Sequence, residues 1–347
     1  MSMLADRVDY VIGIDCHKER HVAAVADRLG GLQATLSVTS DAQGYRSLLK
    51  WADKNAGGRR VWAIEGAGSY GAGLSDWLAE KQERMVEVDR PKRPKRKAGI
   101  KSDELDALRA AKDALAAKRL AEPRRRGGLE AVRVLKISRK QAVQVSAVAV
   151  VQLKALVVSA PEGLRARLRH LSGAELVATC AGLRNQPSHS AEWAATLFAM
   201  RSLARRAQAA AADAAALDRE LSVAVKAQAP PTLLGEVGVG TVVAAELLSV
   251  WSHKGRLHSE AAFAMVAGAA PIEASSGQLI RHRLSRSGDR QLNSALHTVV
   301  LTRWRHDERT QVYIARRRAE GKSDREIRRC LKRHIARHLF RLMEAGA

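Results

Sequence analysis

Four acidic residues occupy positions at which carboxylates could bind metal ions. Asp15 and Glu65 each end a short apolar run rich in β-branched residues, which predicts a buried strand that stops at an acid. A carboxylate there is costly unless a cation or a hydrogen-bond donor balances it. Asp103 and Asp106 are spaced i, i+3 at a predicted helix start, so both project from one face. Grouped carboxylates suit Mg²⁺ or Mn²⁺, and two such ions about 3.5–4 Å apart can activate a nucleophile and stabilise the leaving oxygen in phosphoryl transfer.

Each acid also has a structural interpretation when it is taken alone. Asp103 suits the positive N-terminal end of a helix capped by Ser102. Asp106 suits an exposed helix face, and Asp15 suits a turn. The joint placement of the four acids on the predicted order of elements favours the metal site.

The acids can meet only if the surrounding elements bring them to one place. Hydrophobic periodicity predicts three consecutive strands followed by alternating helices and strands, in the order β-β-β-α-β-α-β-α. This is the order of the ribonuclease H-like fold, in which central strands and a facing helix can bring four carboxylates together. The predicted strands are 10–15, 21–27, 32–39, 61–65 and 85–88, and the predicted helices are 41–56, 72–81 and 102–117.

The remainder of the chain is predicted to be helical, which makes the fold class α/β plus α. Within residues 129–229, the segment 190–229 has apolar residues in alternating steps of three and four, the spacing of a coiled-coil seam. We interpret this region as an antiparallel helical hairpin or coiled coil that serves as a spacer or a dimerisation arm. The predicted domains are 1–128, which carries the acids, 129–229, the helical coiled-coil region, and 230–347, a mainly helical C-terminal domain.

The charge of the chain indicates a polyanionic partner. Its 59 Lys and Arg against 36 Asp and Glu give a net charge of +23, and a soluble protein this basic usually binds nucleic acid. Aromatic residues make up only 4%, which argues against base stacking as the main binding mode. A proline-containing basic segment lies just before the acidic helix, so we predict phosphate contacts there rather than a solvated linker. Within this segment, 90–101, the cations predicted to contact phosphate are Arg93, Lys95, Arg96, Lys97 and Lys101.

Cysteine usage and hydropathy bear on the compartment. Cys16, Cys180 and Cys330 lie far apart and form no CxxC pair, so the sequence gives no support to a zinc knuckle. The N-terminus lacks the layout of a signal peptide, and no uninterrupted apolar run approaches the roughly 18 residues of a membrane span. We therefore expect a cytoplasmic protein with reduced thiols and no membrane partner.

Short sequence blocks surround the acids: GIDCHK (13–18), IEGAGSYGAGL (64–74), VEVDRPKR (86–93) and KSDELDA (101–107). They resemble the blocks of the DEDD transposases of the insertion-sequence "one-ten" family, which are related to the Piv-type invertases. The second block is the most specific, and its one departure is Ala67, where many relatives carry threonine. The resemblance implies a RuvC-like N-terminal domain in which Asp15, Glu65, Asp103 and Asp106 bind Mg²⁺ or Mn²⁺.

Residues 268–296, GAAPIEASSGQLIRHRLSRSGDRQLNSAL, resemble a second conserved block of the same family, in which a serine before a glycine is the DNA nucleophile. Ser276 matches that serine, and Ser275, one residue away, is the alternative. The resemblance implies a composite site in which the metal ions of the acidic site activate the serine and a covalent 5′-phosphoserine link forms. Without the resemblance, a Ser-Ser-Gly loop is a plain turn. The cations predicted to contact phosphate here are Arg281, Arg283 and Arg286.

Two further features of the C-terminal region could contact phosphates. Gly238 and Gly240 lie between two apolar segments that resemble a helix-hairpin-helix, in which glycines let backbone N–H groups approach a phosphate. An ordinary packing turn is the alternative. A dense basic region follows, which predicts sequence-independent phosphate binding and, in part, a solvated face. Its cations are Arg316, Arg317, Arg318, Arg325, Arg328, Arg329, Lys332, Arg333 and Arg337.

The resemblance as a whole implies a bacterial transposase that cuts and rejoins donor and target DNA, acting in the cytoplasm at the nucleoid. It also implies a noncoding bridge RNA that pairs with both DNAs, so that base pairing carries the specificity. A homodimer that assembles into a homotetramer is implied as well. The alternatives are a Piv-like site-specific DNA invertase, a RuvC-like structure-selective nuclease and a non-enzymatic nucleic-acid scaffold.

Overall fold

The chain forms two compact units in a computed structural model. The structure describes residues 3–88, 102–118, 120–187, 189–273, 282–283, 285 and 287–346. The first unit comprises Met1–Arg126 and Ser252–Ser259, and the second comprises Gly127–Trp251 and Glu260–Ala347. The first is built around a mixed β-sheet, and the second is mostly helical. This confirms an α/β N-terminal part followed by a mainly helical remainder.

The predicted order of the first eight strands and helices is confirmed, with bounds that differ from the prediction by one residue at most. A short 3₁₀ helix, Leu4–Asp6, precedes them. The elements are β1 (Tyr10–Cys16), β2 (Arg20–Asp27), β3 (Leu32–Thr39), α1 (Ala42–Asn55), β4 (Arg60–Glu65), α2 (Ala72–Glu80), β5 (Met85–Val88) and α3 (Asp103–Ala116).

The five strands form one sheet in the order β3-β2-β1-β4-β5. The first three pair antiparallel, whereas β4 lies parallel to β1 and β5 lies parallel to β4. The turn between β2 and β3 uses Gly30 at a φ of +83°, a conformation that a side chain would strain. Because β1 and β4 are parallel neighbours, both strands end at the same edge of the sheet.

Alternation along β1 sends its side chains to opposite faces of the sheet. Ile12 and Ile14 lie in a core cluster with residues of α1 and α2. Val11 lies in a second cluster with residues of α3, and β4 shows the same alternation. Asp15 and Glu65 continue the odd-numbered series of their strands, so the pleat directs both acids to the α3 face.

The segment Ser252–Ser259 returns to the first unit from far along the chain. The His253 side chain is buried, and its Nε2 lies 3.3 Å from a carboxylate oxygen of Glu122. Arg256 donates a hydrogen bond of 3.1 Å to Glu87 of β5. The Ser252 hydroxyl accepts a hydrogen bond of 3.2 Å from the backbone N–H of Arg125. These contacts tie the returning segment to the rest of the first unit through two side-chain pairs and one backbone N–H.

The second unit contains long helices and one short strand pair among its described residues. They are α4 (Gly128–Ser159), α5 (Glu162–Leu168), α6 (Gly173–Ala181), α7 (Ala191–Gln228), α8 (Pro231–Leu234), α9 (Thr241–Trp251), α10 (Glu260–Val266), β6 (Ile272–Glu273), β7 (His282–Arg283), α11 (Arg290–His306), α12 (Glu308–Ala319) and α13 (Asp324–Ala345).

Helices α4 and α7 pack against each other in opposite directions. Arg139 pairs with Asp218 at 2.6 Å, and the Ser146 hydroxyl donates to the carbonyl oxygen of Ala207 at 3.1 Å, so the residue number rises on α4 as it falls on α7. Much of the seam predicted on α7 is buried within the chain by this packing. The buried members are Leu197, Met200, Ala207, Ala210, Ala214 and Leu221.

A different face of α4 is apolar and exposed, and we call it the exposed α4 seam. Its apolar side chains of valine and isoleucine are 42% to 73% exposed. By length and composition α4 could cross a membrane, since an 18-residue window has a mean hydropathy of 1.8 and only 17% of it is buried. A single helix of this kind is weak evidence for a membrane span, because core helices of soluble proteins have the same length and composition. The seam consists of Val134, Ile137, Gln141, Gln144, Val148, Val151, Ala155 and Val158.

Candidate active site

The ends of β1 and β4 place Asp15 and Glu65 at one edge of the sheet. The two strands are parallel, with Ile14 opposite Ile64, so the next residue of each strand is an acid. Because both odd-numbered side chains project to the same face, the two carboxylates lie on the side that α3 covers. The two strand-end acids of the prediction are therefore neighbours.

The close approach of α3 to β1 depends on Gly13. A Cβ atom at Gly13 would lie 2.0 Å from the carbonyl oxygen of Ala107 and 2.6 Å from the amide nitrogen of Ala111. Only glycine leaves space for backbone packing this tight. The first turn of α3, which carries Asp103 and Asp106, is thereby held against the end of β1.

His17 joins the acids of the strand and the helix. Its Nε2 lies 3.1 Å from Oδ2 of Asp15 and 3.7 Å from Oδ2 of Asp103. One ligand atom from each of these three residues falls within 4.8 Å of the others, so the group could hold a metal ion. Sequence reasoning did not single out His17, although it stands two residues after Asp15 in the GIDCHK block. The i, i+2 spacing beyond a strand-end acid was the available signal.

Two arginines contact the acids of α3. An Nη atom of Arg20 lies 2.7 Å from Oδ2 of Asp103, and an Nη atom of Arg109 lies 2.7 Å from Oδ1 of Asp106. The side chain of Ser102 forms no capping hydrogen bond with α3. Asp103 therefore has long-range partners on β2 and after β1 that helix capping alone does not explain.

The charged form of Asp15 is disfavoured by its surroundings. Burial raises the pKa of Asp15, and the negative charges of Glu65, Asp103 and Asp106 raise it further, against the opposing effect of His17. The other three predicted acids are thus close enough to Asp15 to repel its charged form, and a bound cation relieves such repulsion.

The donor set fits a hard divalent cation. Burial and the nearby charges of Asp15 and Glu65 raise the pKa of the Cys16 thiol to about 12, so this neighbour stays protonated and offers no thiolate. The remaining donors are carboxylate oxygens and one imidazole nitrogen, and carboxylate oxygens are the ligands that Mg²⁺ and Mn²⁺ prefer.

Several predicted functional residues lie outside the described residues, and their roles stay predictions. The strand pair β6 and β7 is antiparallel, with Glu273 opposite His282, so these strands flank the segment predicted to carry the nucleophile. Arg283 lies on β7 and is exposed. The predicted residues outside the described part are Arg93, Lys95, Arg96, Lys97, Lys101, Ser275, Ser276, Arg281 and Arg286.

The two glycines before α9 occupy different surroundings. Gly238 has a φ of +87°, and a Cβ there would lie 3.1 Å from Cα of Val299 on α11. Close packing against α11 therefore accounts for this glycine. No atom lies within 4 Å of a Cβ built at Gly240, so that position is open. Contact of either glycine with nucleic acid stays a prediction.

Two family models match the chain. Residues 12–160 match the DEDD transposase model of the IS110 type, and residues 232–315 match the model described as "Transposase IS116/IS110/IS902 family". A search of curated proteins found no match. The family matches and the acidic site define the class: the protein is a transposase, a DNA-binding enzyme that cuts and rejoins DNA. Together the two models cover more than half of the chain, which belongs to the IS110 family of insertion-sequence transposases.

Proposed function

We propose that the protein cuts and rejoins donor and target DNA through attack by Ser276, with Asp15, Glu65, Asp103 and Asp106 holding Mg²⁺ or Mn²⁺. The observation that carries this proposal is the grouping of strand-end and helix-start carboxylates around Asp15, whose pKa they raise. Carboxylates gathered at a cost in repulsion indicate a site built for a cation.

We propose a RuvC-like, ribonuclease H-like fold for the N-terminal region, 1–128. The mixed sheet order with parallel central strands, and the acids on the face covered by α3, support it. The division of the rest into a coiled-coil region, 129–229, and a C-terminal transposase domain, 230–347, belongs to the same proposal. The antiparallel packing of α4 and α7 supports the helical middle region.

In the proposed reaction, the Ser276 Oγ forms a bond to the scissile phosphorus and the bond from phosphorus to the 3′ oxygen breaks. The serine proton ends on the released 3′ hydroxyl, and the DNA stays joined as a 5′-phosphoserine. A 3′ hydroxyl of the strand to be joined then attacks the phosphorus and returns the proton to Ser276. When bound, the divalent ion stabilises negative charge on the phosphate and favours the ionised nucleophile. The four acids position the ion, and His17 holds Asp15 and Asp103 in place.

The choice of DNA sequence is proposed to rest with a bridge RNA. The net charge of +23 with only 4% aromatic residues supports backbone binding without many base-stacking side chains. Pairing between RNA and DNA would then supply the specificity. Both nucleic acids would be met in the cytoplasm.

Self-association into a homodimer, and of dimers into a homotetramer, is proposed to use the exposed α4 seam. Its exposed members follow alternating steps of three and four residues along the helix, which is the spacing for a second helix. Exposed apolar stripes of this extent mark contact surfaces. The seam predicted on α7 is already occupied within the chain, so α4 supplies the free surface.

Replacement of Val151 tests the proposed dimer. Val151 is 66% exposed, so Val151→Glu should leave the fold intact but place a charge in the contact. We expect the dissociation constant of the dimer to rise at least tenfold, about 1.4 kcal/mol, in sedimentation velocity. The matched control is Val223→Glu on α7, which is 67% exposed and lies off the seam. Equal self-association of Val151→Glu and wild type would exclude this surface.

The proposed reaction is tested by trapping its covalent intermediate. The protein is incubated with its RNA, donor DNA, target DNA and Mg²⁺, and a protein–DNA adduct is sought after denaturation. We expect an adduct that Ser276→Ala abolishes and Ser275→Ala retains, and that chelation of Mg²⁺ prevents. The reverse serine result would move the nucleophile to Ser275, and an adduct that survives chelation would exclude metal assistance.

The same variants separate the alternatives. Cleavage without any adduct in Ser276→Ala would indicate a RuvC-like structure-selective nuclease that uses water. Inversion of a segment between two sites, without insertion elsewhere, would indicate a Piv-like invertase.

A further inference from the structure

Arginine side chains from two other helices contact the ring of Trp304 on α11. The guanidinium carbon of Arg328 on α13 lies 4.9 Å from the ring centroid, and that of Arg318 on α12 lies 5.6 Å from it. Cation–π attraction at these distances favours a fixed placement of the guanidinium groups. The indole therefore orients these two cations.

Next to Trp304, further polar and cationic side chains lie along α11 and α13. Asn293, His297 and Trp304 lie on one face of α11, because steps of four and seven residues return close to the same side of a helix. The Lys332 ammonium on α13 donates a 2.9 Å hydrogen bond to the Asn293 side chain. Burial lowers the pKa of His297, and the positive charges of Lys332 and Arg328 lower it further, so both cations act on this imidazole.

Hydrogen bonds from Arg318 lower the pKa of Asp324 and the charge of Arg328 lowers it further, so this carboxylate is a counter-charge near the centre of the surface. The Asp324 carboxylate is engaged by Arg318 through two hydrogen bonds, of 2.8 and 2.9 Å. Within the part of the chain that the structure describes, neither Arg328 nor Lys332 forms a salt bridge. Other arginines of the second unit do, as Arg303 does with Glu236. Because Asp324 is shared between Arg318 and Arg328, positive charge stays in excess here, and an external anion offsets the cost of gathering like charges.

We propose that this surface, formed by Trp304, Arg328 and Lys332 with His297 and Asn293, binds the phosphodiester backbone of a nucleic acid strand. From Asn293 to Trp304 it extends about 16 Å along α11, enough for successive phosphates of one strand. It binds without reading sequence, because guanidinium and ammonium groups contact phosphate oxygens. Arg328 and Lys332 lie beyond residue 315, where the family-model match ends, whereas Asn293, His297 and Trp304 lie within the match.

The test measures binding without catalysis, in EDTA, so its outcome is independent of the serine mechanism. The probes are a short DNA duplex of random sequence and the RNA duplex of the same sequence, titrated between about 50 and 200 mM salt. The slope of log affinity against log salt is negative, and each lost phosphate contact lowers its magnitude by about 0.9. A lower slope means a smaller magnitude. We expect the double variant Arg328→Gln, Lys332→Gln to lower the slope by about 2.

The matched control is Arg165→Gln, Arg169→Gln, a pair of exposed arginines with the same i, i+4 spacing and the same change in net charge. It should leave the slope unchanged. A lower slope with DNA alone assigns the surface to DNA, one with RNA alone assigns it to RNA, and one with both supports binding of either backbone. An unchanged slope with both probes, or an equal loss in the control, would overturn the proposal.

Two single variants protect the test against misfolding and examine the indole. Arg328 is exposed, so Arg328→Gln should fold even if the double variant does not, and should lower the slope by about 1. Trp304→Leu keeps Arg318 and Arg328 but removes the ring that their guanidinium groups contact. We expect a several-fold weaker affinity with the slope retained, and an unchanged affinity would remove Trp304 from the surface.

Discussion

Asp15→Asn is expected to lower the rate of DNA strand cleavage by about 10²–10³-fold or more, since it removes a charged ligand of the proposed metal site. The substitution keeps the size and shape of the side chain. Its neighbours at the end of β1 and on α3 are therefore not disturbed by packing. The loss is read from single-turnover cleavage of labelled DNA in the presence of Mg²⁺.

The same variant is expected to be more stable than wild type when metal is absent. Burial, together with the charges of Glu65, Asp103 and Asp106, holds the pKa of Asp15 above its usual range. A raised carboxyl pKa gives stability that is present below the unfolded pKa of about 3.9 and lost as the pH rises through the folded value. Urea denaturation in EDTA should thus show an advantage of Asp15→Asn that is larger at pH 7 than at pH 4. Added Mg²⁺ should raise the stability of wild type and not that of the variant.

Asp113→Asn is the matched control, because Asp113 is an exposed acid on the same helix, α3. It should cleave DNA as wild type does and respond to Mg²⁺ in the same way. Full cleavage by Asp15→Asn would contradict the assignment of the site. A loss of stability in EDTA at pH 7 would show instead that the carboxylate is structural.

Gly13→Ala is expected to destabilise the first unit by about 3 kcal/mol, at the upper end of the range for overpacking. The added methyl group would collide with the backbone of Ala107 and Ala111, which cannot move aside as a flexible side chain can. The helix α3 must therefore shift away from β1. The free energy of unfolding from urea denaturation measures this cost.

Gly13→Ala should also weaken metal binding at the proposed site, although Gly13 is not one of its ligands. A shift of α3 carries Asp103 and Asp106 away from Asp15. The Mg²⁺ concentration that gives half of the maximal Mg²⁺-dependent increase in the free energy of unfolding should therefore rise. Gly68→Ala is the control, because no atom lies within 4 Å of a Cβ built there and its φ is not positive. A Gly13→Ala protein with wild-type stability would contradict the close approach of α3 to the sheet.

The strand and helix order of the first unit was predictable because two simple patterns agree there. Buried strands with β-branched residues alternate with helices of clear periodicity, and the pleat alone directs Asp15 and Glu65 to one face. The proximity of Asp103 could be inferred only from the joint arrangement. The roles of these residues in catalysis rest on the family and on the proposed mechanism.

The parts that sequence reasoning missed depend on contacts between distant segments. His17 bridges Asp15 and Asp103 because α3 docks on β1, and local spacing does not encode that docking. The seam on α7 was visible and an antiparallel hairpin was one interpretation of it, but the sequence did not decide between packing within the chain and pairing with a second copy, since a periodic stripe does not reveal its partner. The apolar stripe left exposed on α4 went unnoticed because polar residues interrupt it.

The returning segment, Ser252–Ser259, means that the boundary between the units in space is not a boundary in the gene. A polypeptide shortened to end at residue 126 would lack His253 and Arg256, the partners of Glu122 and Glu87. Exchange of the N-terminal part between related elements would have to preserve both sides of these contacts. Recombination between such genes is thus expected to yield working hybrids only when residues near 122 and near 253 come from the same parent.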